Sequence, residues 1–178
     1  MRNRLGEFTL KTPWEVDWCP QIVGTLVFIR EAGKVLLIHK KRGHGAGKIN
    51  APGGKLQTGE TVLDCARRET LEEVGVQVED LVCRAELRFV ERQGDQWLGF
   101  VFVCTRFSGT PVATEEADPF WCDETELPFA QMWPDDKLWL PQVLHGDDFL
   151  VANVLFEDSQ LLDHEFVEEP SIWSTIQR

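Results

Sequence analysis

The period of the apolar positions changes along the chain, and the changes mark its elements. Residues 22–30 (IVGTLVFIR) and 35–40 (VLLIHK) are β-branched and apolar runs. They are joined by a short segment holding Gly33, which predicts a hairpin. Residues 81–90 and 97–107 repeat this arrangement around ERQGDQ, where Gly94 and Asp95 suit a hairpin tip. A short strand is expected at 119–122, and a late strand pair at 148–156 and 161–167. In contrast, Val62, Leu63, Ala66, Thr70 and Val74 recur at helical spacing. Thr58 is the expected N-cap of that helix, and Gly75 its C-terminal stop. Residues 125–132 hold a helical turn or two, and 135–144 predict a second helix. Between strand and helix, 41–52 (KRGHGAGKINAP) is glycine-rich and basic, which predicts a loop.

Strands outnumber helices and arrive as hairpins rather than in βαβ alternation, which points to a mixed α+β sheet fold. No repeat or linker interrupts the pattern. We expect one domain at 21–168, an N-terminal extension at 1–20 outside the core, and a mobile C-terminal tail at 169–178.

Charge narrows the partners. A net charge of −12 argues against a nucleic-acid polymer, because phosphate backbones want basic surfaces. It leaves a small nucleotide open, since a metal can supply the compensating charge. The five cysteines form no C-x-x-C pair, which suggests reduced thiols in a cytosolic compartment. The first residues lack a secretory apolar region, and no apolar run approaches the ~20 residues of a membrane helix.

The polar side of the first helix carries the chemistry. Glu69, Glu72 and Glu73 stand at i, i+3 and i+4, so their carboxylates share a face. They crowd the helix C-terminus, where the macrodipole disfavours anions, and each like-charged pair costs roughly 0.2–0.5 kcal/mol. Arg68 alone cannot neutralise three acids. The face is either a solvated acidic surface or the bed of a divalent cation, and carboxylate oxygens suit Mg²⁺ or Mn²⁺.

The stretch GKLQTGETVLDCARRETLEEVGV resembles the box of the Nudix family, G-x5-E-x7-R-E-U-x-E-E-x-G-U with U aliphatic. Gly54, Glu60, Arg68, Glu69, Glu72, Glu73, Gly75 and Val76 fall on fixed positions, and Thr70 replaces the first aliphatic residue. The resemblance implies an α/β/α sandwich around a mixed sheet, with the box as loop–helix–loop. It implies hydrolysis of a nucleoside diphosphate linked to another group. It implies Mg²⁺, with Mn²⁺ as substitute, on Glu69, Glu72 and Glu73, aided by Gly53 and by Glu116 outside the box. Glu60 and Arg68 would support these ligands, and Glu73 or Glu116 would take the proton of an attacking water.

KKRGHGAGKINAPGGK, FVFVCTRFSGTPV and PFAQMWPDDKLWLP are further similar to the branch of the family that cleaves oxidised purine nucleoside triphosphates such as 8-oxo-dGTP. That similarity implies base recognition by Asn50, Trp133, Asp135 and Asp136, and substrate contacts from Lys40, Gly53, Gly54 and Lys55. Asn offers a donor and an acceptor to a base edge, and paired aspartates can share a proton. Asp135 and Asp136 could equally cap the following helix. Lys40 could be a solvated strand end and Glu116 part of a solvated loop. The branch has aromatic residues where this chain has His44 and Pro52, and tryptophan at Ile49, so the pocket is walled differently. The expected protein is a cytoplasmic monomer or weak homodimer acting on a small nucleotide, away from membranes. The competing readings are another substrate (an unmodified nucleoside triphosphate, dihydroneopterin triphosphate or ADP-ribose) and a non-catalytic binding module. Such modules usually lose box acids that this chain keeps.

Overall fold

Two strands pair only at their shared hairpin and then part, and the chain that follows the glycine-rich loop fills the gap. In the computed structural model, which describes residues 10–14, 17–168 and 171–176, the order is β1 (Leu10–Lys11), β2 (Asp17–Trp18), β3 (Ile22–Glu31), β4 (Lys34–Lys40), β5 (Ile49–Asn50), α1 (Val62–Val74), β6 (Gln77–Val78), β7 (Val82–Glu91), β8 (Trp97–Cys104), β9 (Phe107–Ser108), β10 (Ala117–Asp123), α2 (Asp136–His145), β11 (Leu150–Glu157), β12 (Gln160–Phe166) and α3 (Ile172–Ile176). A 3₁₀ turn at Phe129–Gln131 precedes α2. The main sheet runs β10-β4-β3-β8-β7-β11-β12. β3 pairs with β8 and β7 with β11 in parallel, and the other neighbours are antiparallel, so the sheet is mixed.

β3 and β4 pair only at Arg30↔Val35 and Glu31↔Lys34. Ala32 and Gly33 close that hairpin with φ of 50° and 76°. Beyond it the following chain wedges between them. β5 pairs with β4, while Val27 N–H donates to Pro52 O (2.8 Å), Thr25 N–H to Gly54 O (2.9 Å) and Leu56 N–H to Val23 O (2.9 Å). The expected loop at 41–52 therefore contains a two-residue strand, because splayed β3 and β4 leave backbone groups that need partners. This wedge fixes Asn50, Gly53 and Gly54 in the middle of the fold.

Alternation on the strands sends side chains to two cores. Val27, Ile29, Leu36, Ile38, Phe100 and Phe102 pack on one face beneath Val62, Ala66 and Val74 of α1. Phe28, Leu37, Leu87, Val101 and Val154 pack on the other beneath Trp139, Leu140 and Val143 of α2. The result is the α/β/α layering.

Helix α1 starts later than its sequence suggested. Thr61, not Thr58, is the N-cap, with φ −81° and ψ 157°, and its Oγ1 accepts from Asp64 N–H at 3.1 Å. Gly59 at φ +81° keeps the preceding residues out of the helical region. Gly75 ends the helix as expected, at φ 73°, donating to Leu71 O at 2.9 Å.

Both ends of the chain depart from the expectation. Trp18 lies wholly inside the core and donates Nε1–H to Phe89 O at 3.1 Å. In α3 Ile172 is buried, Trp173 packs 5.3 and 5.5 Å from the rings of Phe100 and Phe102, and its N–H donates to Glu86 at 2.9 Å. Burial of large aromatic surface offsets the entropy of ordering these segments. Residues 1–9, 15–16, 169–170 and 177–178, which the expectation of extension and tail also covered, lie outside the described residues. Among the described residues, no helix is long and apolar enough to cross a membrane.

Candidate active site

Three box acids meet on one guanidinium. Arg68 grips Glu60 with two parallel bonds, Nε to Oε1 at 2.7 Å and Nη2 to Oε2 at 2.9 Å. Its Nη1 donates to Glu69 at 2.7 Å and to Glu72 at 3.1 Å. Nη2 also donates to Lys55 O at 3.2 Å, tying the helix to the loop before it. Such forks are the strong form of charge-assisted bonding. The guanidinium beside Glu60, with a bond from Gln57 N–H, holds that carboxyl below the usual range.

Glu73 sits apart from this group. Its side chain has no exposure, and one oxygen is paired with the Lys40 ammonium while the other accepts from Gly53 N–H at 3.0 Å. Burial pushes the Glu73 carboxyl up, against the pull of Lys40 and Gly53. Lys40, expected on the substrate or in solvent, is thus bound to a box acid. Glycine is required at 53 and 54 by close approach. A Cβ on Gly53 would lie 1.9 Å from Thr25 O, and one on Gly54 would lie 2.2 Å from the Glu69 carboxyl carbon.

Among the described residues, no three acids, histidines or cysteines converge tightly enough to hold an ion as the side chains stand. Arg68 lies between Glu69 and Glu72, Glu73 turns to Lys40, and Glu116 is exposed on the loop before β10. The expected convergence of Glu69, Glu72, Glu73, Gly53 and Glu116 is not present in this arrangement. The donor set nevertheless fits a divalent cation in charge. Glu60, Glu69, Glu72 and Glu73 face two cations, Arg68 and Lys40, which leaves an excess of two negative charges.

A cavity of about 660 Å³ opens beside the acids, and Glu69, Gly53, Gly54, Lys55, Asn50, Trp133, Asp135 and Asp136 all line it. The sequence-predicted substrate residues are therefore brought together across 97 positions of chain, from Lys40 to Asp136. Asp135 and Asp136 are 1% and 3% exposed. Asp135 stands at the N-cap position of α2 but makes no side-chain capping bond; its Oδ2 accepts from Trp139 Nε1–H at 2.8 Å. Asp136 reaches back to accept from Trp133 N–H at 3.0 Å. Burial raises both carboxyls, and Asp136 is raised well above its usual range with Asp135 as neighbour. The shift is in the direction that favours a shared proton, with which the pair could donate as well as accept.

Sequence reasoning missed the aromatic mouth of this cavity. His44 stacks on Trp97 (centroids 4.5 Å, 28°) and on Trp133 (5.0 Å, 14°). Lys55 Nζ lies 4.7 Å from the Trp97 ring centre and Lys48 Nζ 4.8 Å from that of Trp133. Trp97 is half-buried and opens β8 directly after a polar hairpin tip, and a large aromatic beside that polar tip was the available signal.

The box geometry, the wedge loop and the sandwich together define a hydrolase site of known type, and the chain belongs to the Nudix family. The model of the NUDIX domain matches residues 20–143. The chain is 45% identical over 128 residues to the oxidized purine nucleoside triphosphate hydrolase of Danio rerio, covering 71% of this chain and 81% of that protein. It is 40% identical over 139 residues to the Mus musculus protein of the same name, covering 78% and 88%. The crystal structure of a MutT protein from Bacillus halodurans superposes with a TM-score of 0.74 at 28% identity, over 84% of this chain and 99% of the other. Hydrolases of this family generally use divalent cations.

Proposed function

We propose that this chain hydrolyses oxidised purine nucleoside triphosphates such as 8-oxo-dGTP to the monophosphate and pyrophosphate, with Mg²⁺ as resident metal and Mn²⁺ as substitute. The observation that carries this reading is one cavity lined both by the box acid Glu69 and by the base-reading set Asn50, Asp135 and Asp136. The relatives named for oxidised purines support it.

Glu69 and Glu72, with Glu73, Glu116 and the Gly53 carbonyl as further ligands, would hold the metal. When bound, the metal neutralises charge developing on the phosphate oxygens. Glu60 and Arg68 fix the direction of Glu69 and Glu72 before substrate arrives. Water adds to phosphorus, the bond to the bridging oxygen breaks, and the water's proton passes to a carboxylate. Glu73 suits that acceptance, since burial strengthens its hold on a proton while Lys40 and Gly53 orient it. Glu116, exposed nearby in the chain fold, is the other acceptor to test.

At the base end, the Asn50 carboxamide and the aspartate pair supply donors and acceptors for the edge of an oxidised purine, and Trp133 supplies a stacking face. The net charge of −12 supports a small nucleotide rather than a nucleic-acid polymer. The free thiols of Cys65, Cys83, Cys104 and Cys122 support a reducing, cytoplasmic setting. The protein acts as a monomer or weak homodimer.

The test is kcat/KM for 8-oxo-dGTP against dGTP, with pyrophosphate readout. The wild type should prefer the oxidised base by at least about tenfold, roughly 1.4 kcal/mol. Asn50→Ala and Asp135→Asn should erase that preference. Equal turnover of both nucleotides by the wild type overturns the substrate assignment.

A further inference from the structure

Trp97 and Trp133 both line the mouth of the cavity, and one flat ring, that of His44, stacks on both of them. The two tryptophans come from distant parts of the chain, the start of β8 and the segment before α2. The imidazole is within 28° of parallel to one indole and 14° to the other. An imidazole stacked on two indoles marks a place where those indoles can receive one planar group.

The loop that carries His44 is built to place it. Gly43, Gly45 and Gly47 have φ of 73°, 81° and 87°. Gly47 N–H donates to Lys40 O at 2.8 Å and Lys48 N–H to Gly45 O at 3.0 Å, closing the loop on itself. A Cβ on Gly45 would come within 3.2 Å of Trp133 Nε1, so the glycine lets the backbone lie against the indole. His44 as a residue remains exposed at the mouth, while the two indoles cover its imidazole. It is hydrogen-bonded to nothing among the contacts of the described residues, so only stacking holds it there. Burial and the nearby Lys55 and Lys40 lower its proton affinity, which favours a neutral ring.

We propose that Trp97 and Trp133 form the stacking slot for the substrate's nucleobase, and that His44 is its resting occupant, expelled when the base enters. This deepens the nucleotide reading above and rests on it. Trp97 becomes a substrate-binding residue, and His44 becomes a competitor of the substrate rather than a permanent wall. Stacking is indifferent to base identity, so the slot takes any purine, while Asn50 and the aspartates choose among purines.

The test uses the full chain and three variants, His44→Ala, Trp97→Leu and Trp97→Phe. Binding of 8-oxo-dGMP and of dGMP is measured by calorimetry, inorganic triphosphate serves as a baseless control, and KM and kcat are measured for the triphosphate. His44→Ala should tighten both monophosphates at least about threefold and lower KM more than it changes kcat. Trp97→Leu should weaken both at least about fivefold, the low end of base–aromatic stacking, and Trp97→Phe should restore most of that loss. Inorganic triphosphate should bind all four proteins alike. Weaker monophosphate binding by His44→Ala overturns the resting-occupant role. Unchanged binding by Trp97→Leu overturns the slot. A wild type that binds dGMP and 8-oxo-dGMP equally, with these variant effects intact, refutes the oxidised-purine reading alone.

Discussion

Gly54 and Glu69 occupy one space: a Cβ on the glycine would fall 2.2 Å from the glutamate's carboxyl carbon and 2.4 Å from its Oε2. The wedge loop and the box helix are therefore fitted to each other at a single carboxylate. Gly54→Ala forces Glu69 off Arg68 and out of its place beside the cavity. A misplacement of about 1 Å at a reacting centre costs about 10²-fold. Steady-state kinetics of Gly54→Ala should show a kcat loss of that order, with circular dichroism matching the wild type.

Glu73 and Lys40 are a buried pair, and removing one partner strands the other. Lys40→Met should destabilise the fold by roughly 3–5 kcal/mol, because Glu73 then keeps only Gly53 N–H. Urea unfolding at neutral pH measures this. A loss below about 1 kcal/mol would mean that Lys40 behaves as a solvated strand end.

Arg68 binds Glu60 hardest, and the Glu60 carboxyl is held below its ordinary value. Stability from such a depressed carboxyl is fully present above the unfolded value of about 4.3 and is lost as pH falls through the folded one. Arg68→Met should cost roughly 1–3 kcal/mol near neutral pH. The gap between wild type and variant should close on acidification below about pH 4. Chemical denaturation at a series of pH values checks both the size and the window.

Asp136 has the opposite sign. Its carboxyl is raised, so its contribution is complete below the unfolded value of about 3.9 and is lost as pH rises from there through the folded value. Asp136→Asn keeps an acceptor for Trp133 N–H and removes the titration. The variant should melt above the wild type near pH 7 and level with it near pH 3.5. Melting curves at the two pH values suffice.

The box was legible because its chemistry depends on spacing within one helix, and spacing is what a sequence displays. Glu69, Glu72 and Glu73 could be placed on one face before any fold was known. The hairpins of β3–β4 and β7–β8 were equally plain from apolar runs around Gly33 and Gly94, and that of β11–β12 from two apolar runs flanking the polar residues 157–160. What escaped was decided by distant partners. Trp18 is core only because Phe89 O lies 3.1 Å from its indole nitrogen, and Trp173 only because Phe100 and Phe102 receive it. Thr58 and Thr61 look alike as caps until Gly59 takes a left-handed φ. Glu73 has the same spacing credentials as Glu72. Depth in the fold separates them, since one is buried on Lys40 and the other is half exposed on Arg68.

Glu72 offers the most direct measurement of the acid cluster's role, because its side chain is 56% exposed and its loss should leave the fold intact. Pyrophosphate release from 8-oxo-dGTP is followed while Mg²⁺ is removed with chelator and titrated back, for wild type and Glu72→Gln at matched Tm. The wild type should be silent without the ion and recover with it, and Glu72→Gln should lose at least about 10²-fold in kcat and need more Mg²⁺ for half-saturation. Wild-type turnover by Glu72→Gln, with an unchanged Mg²⁺ requirement, would contradict a metal-holding role for these acids.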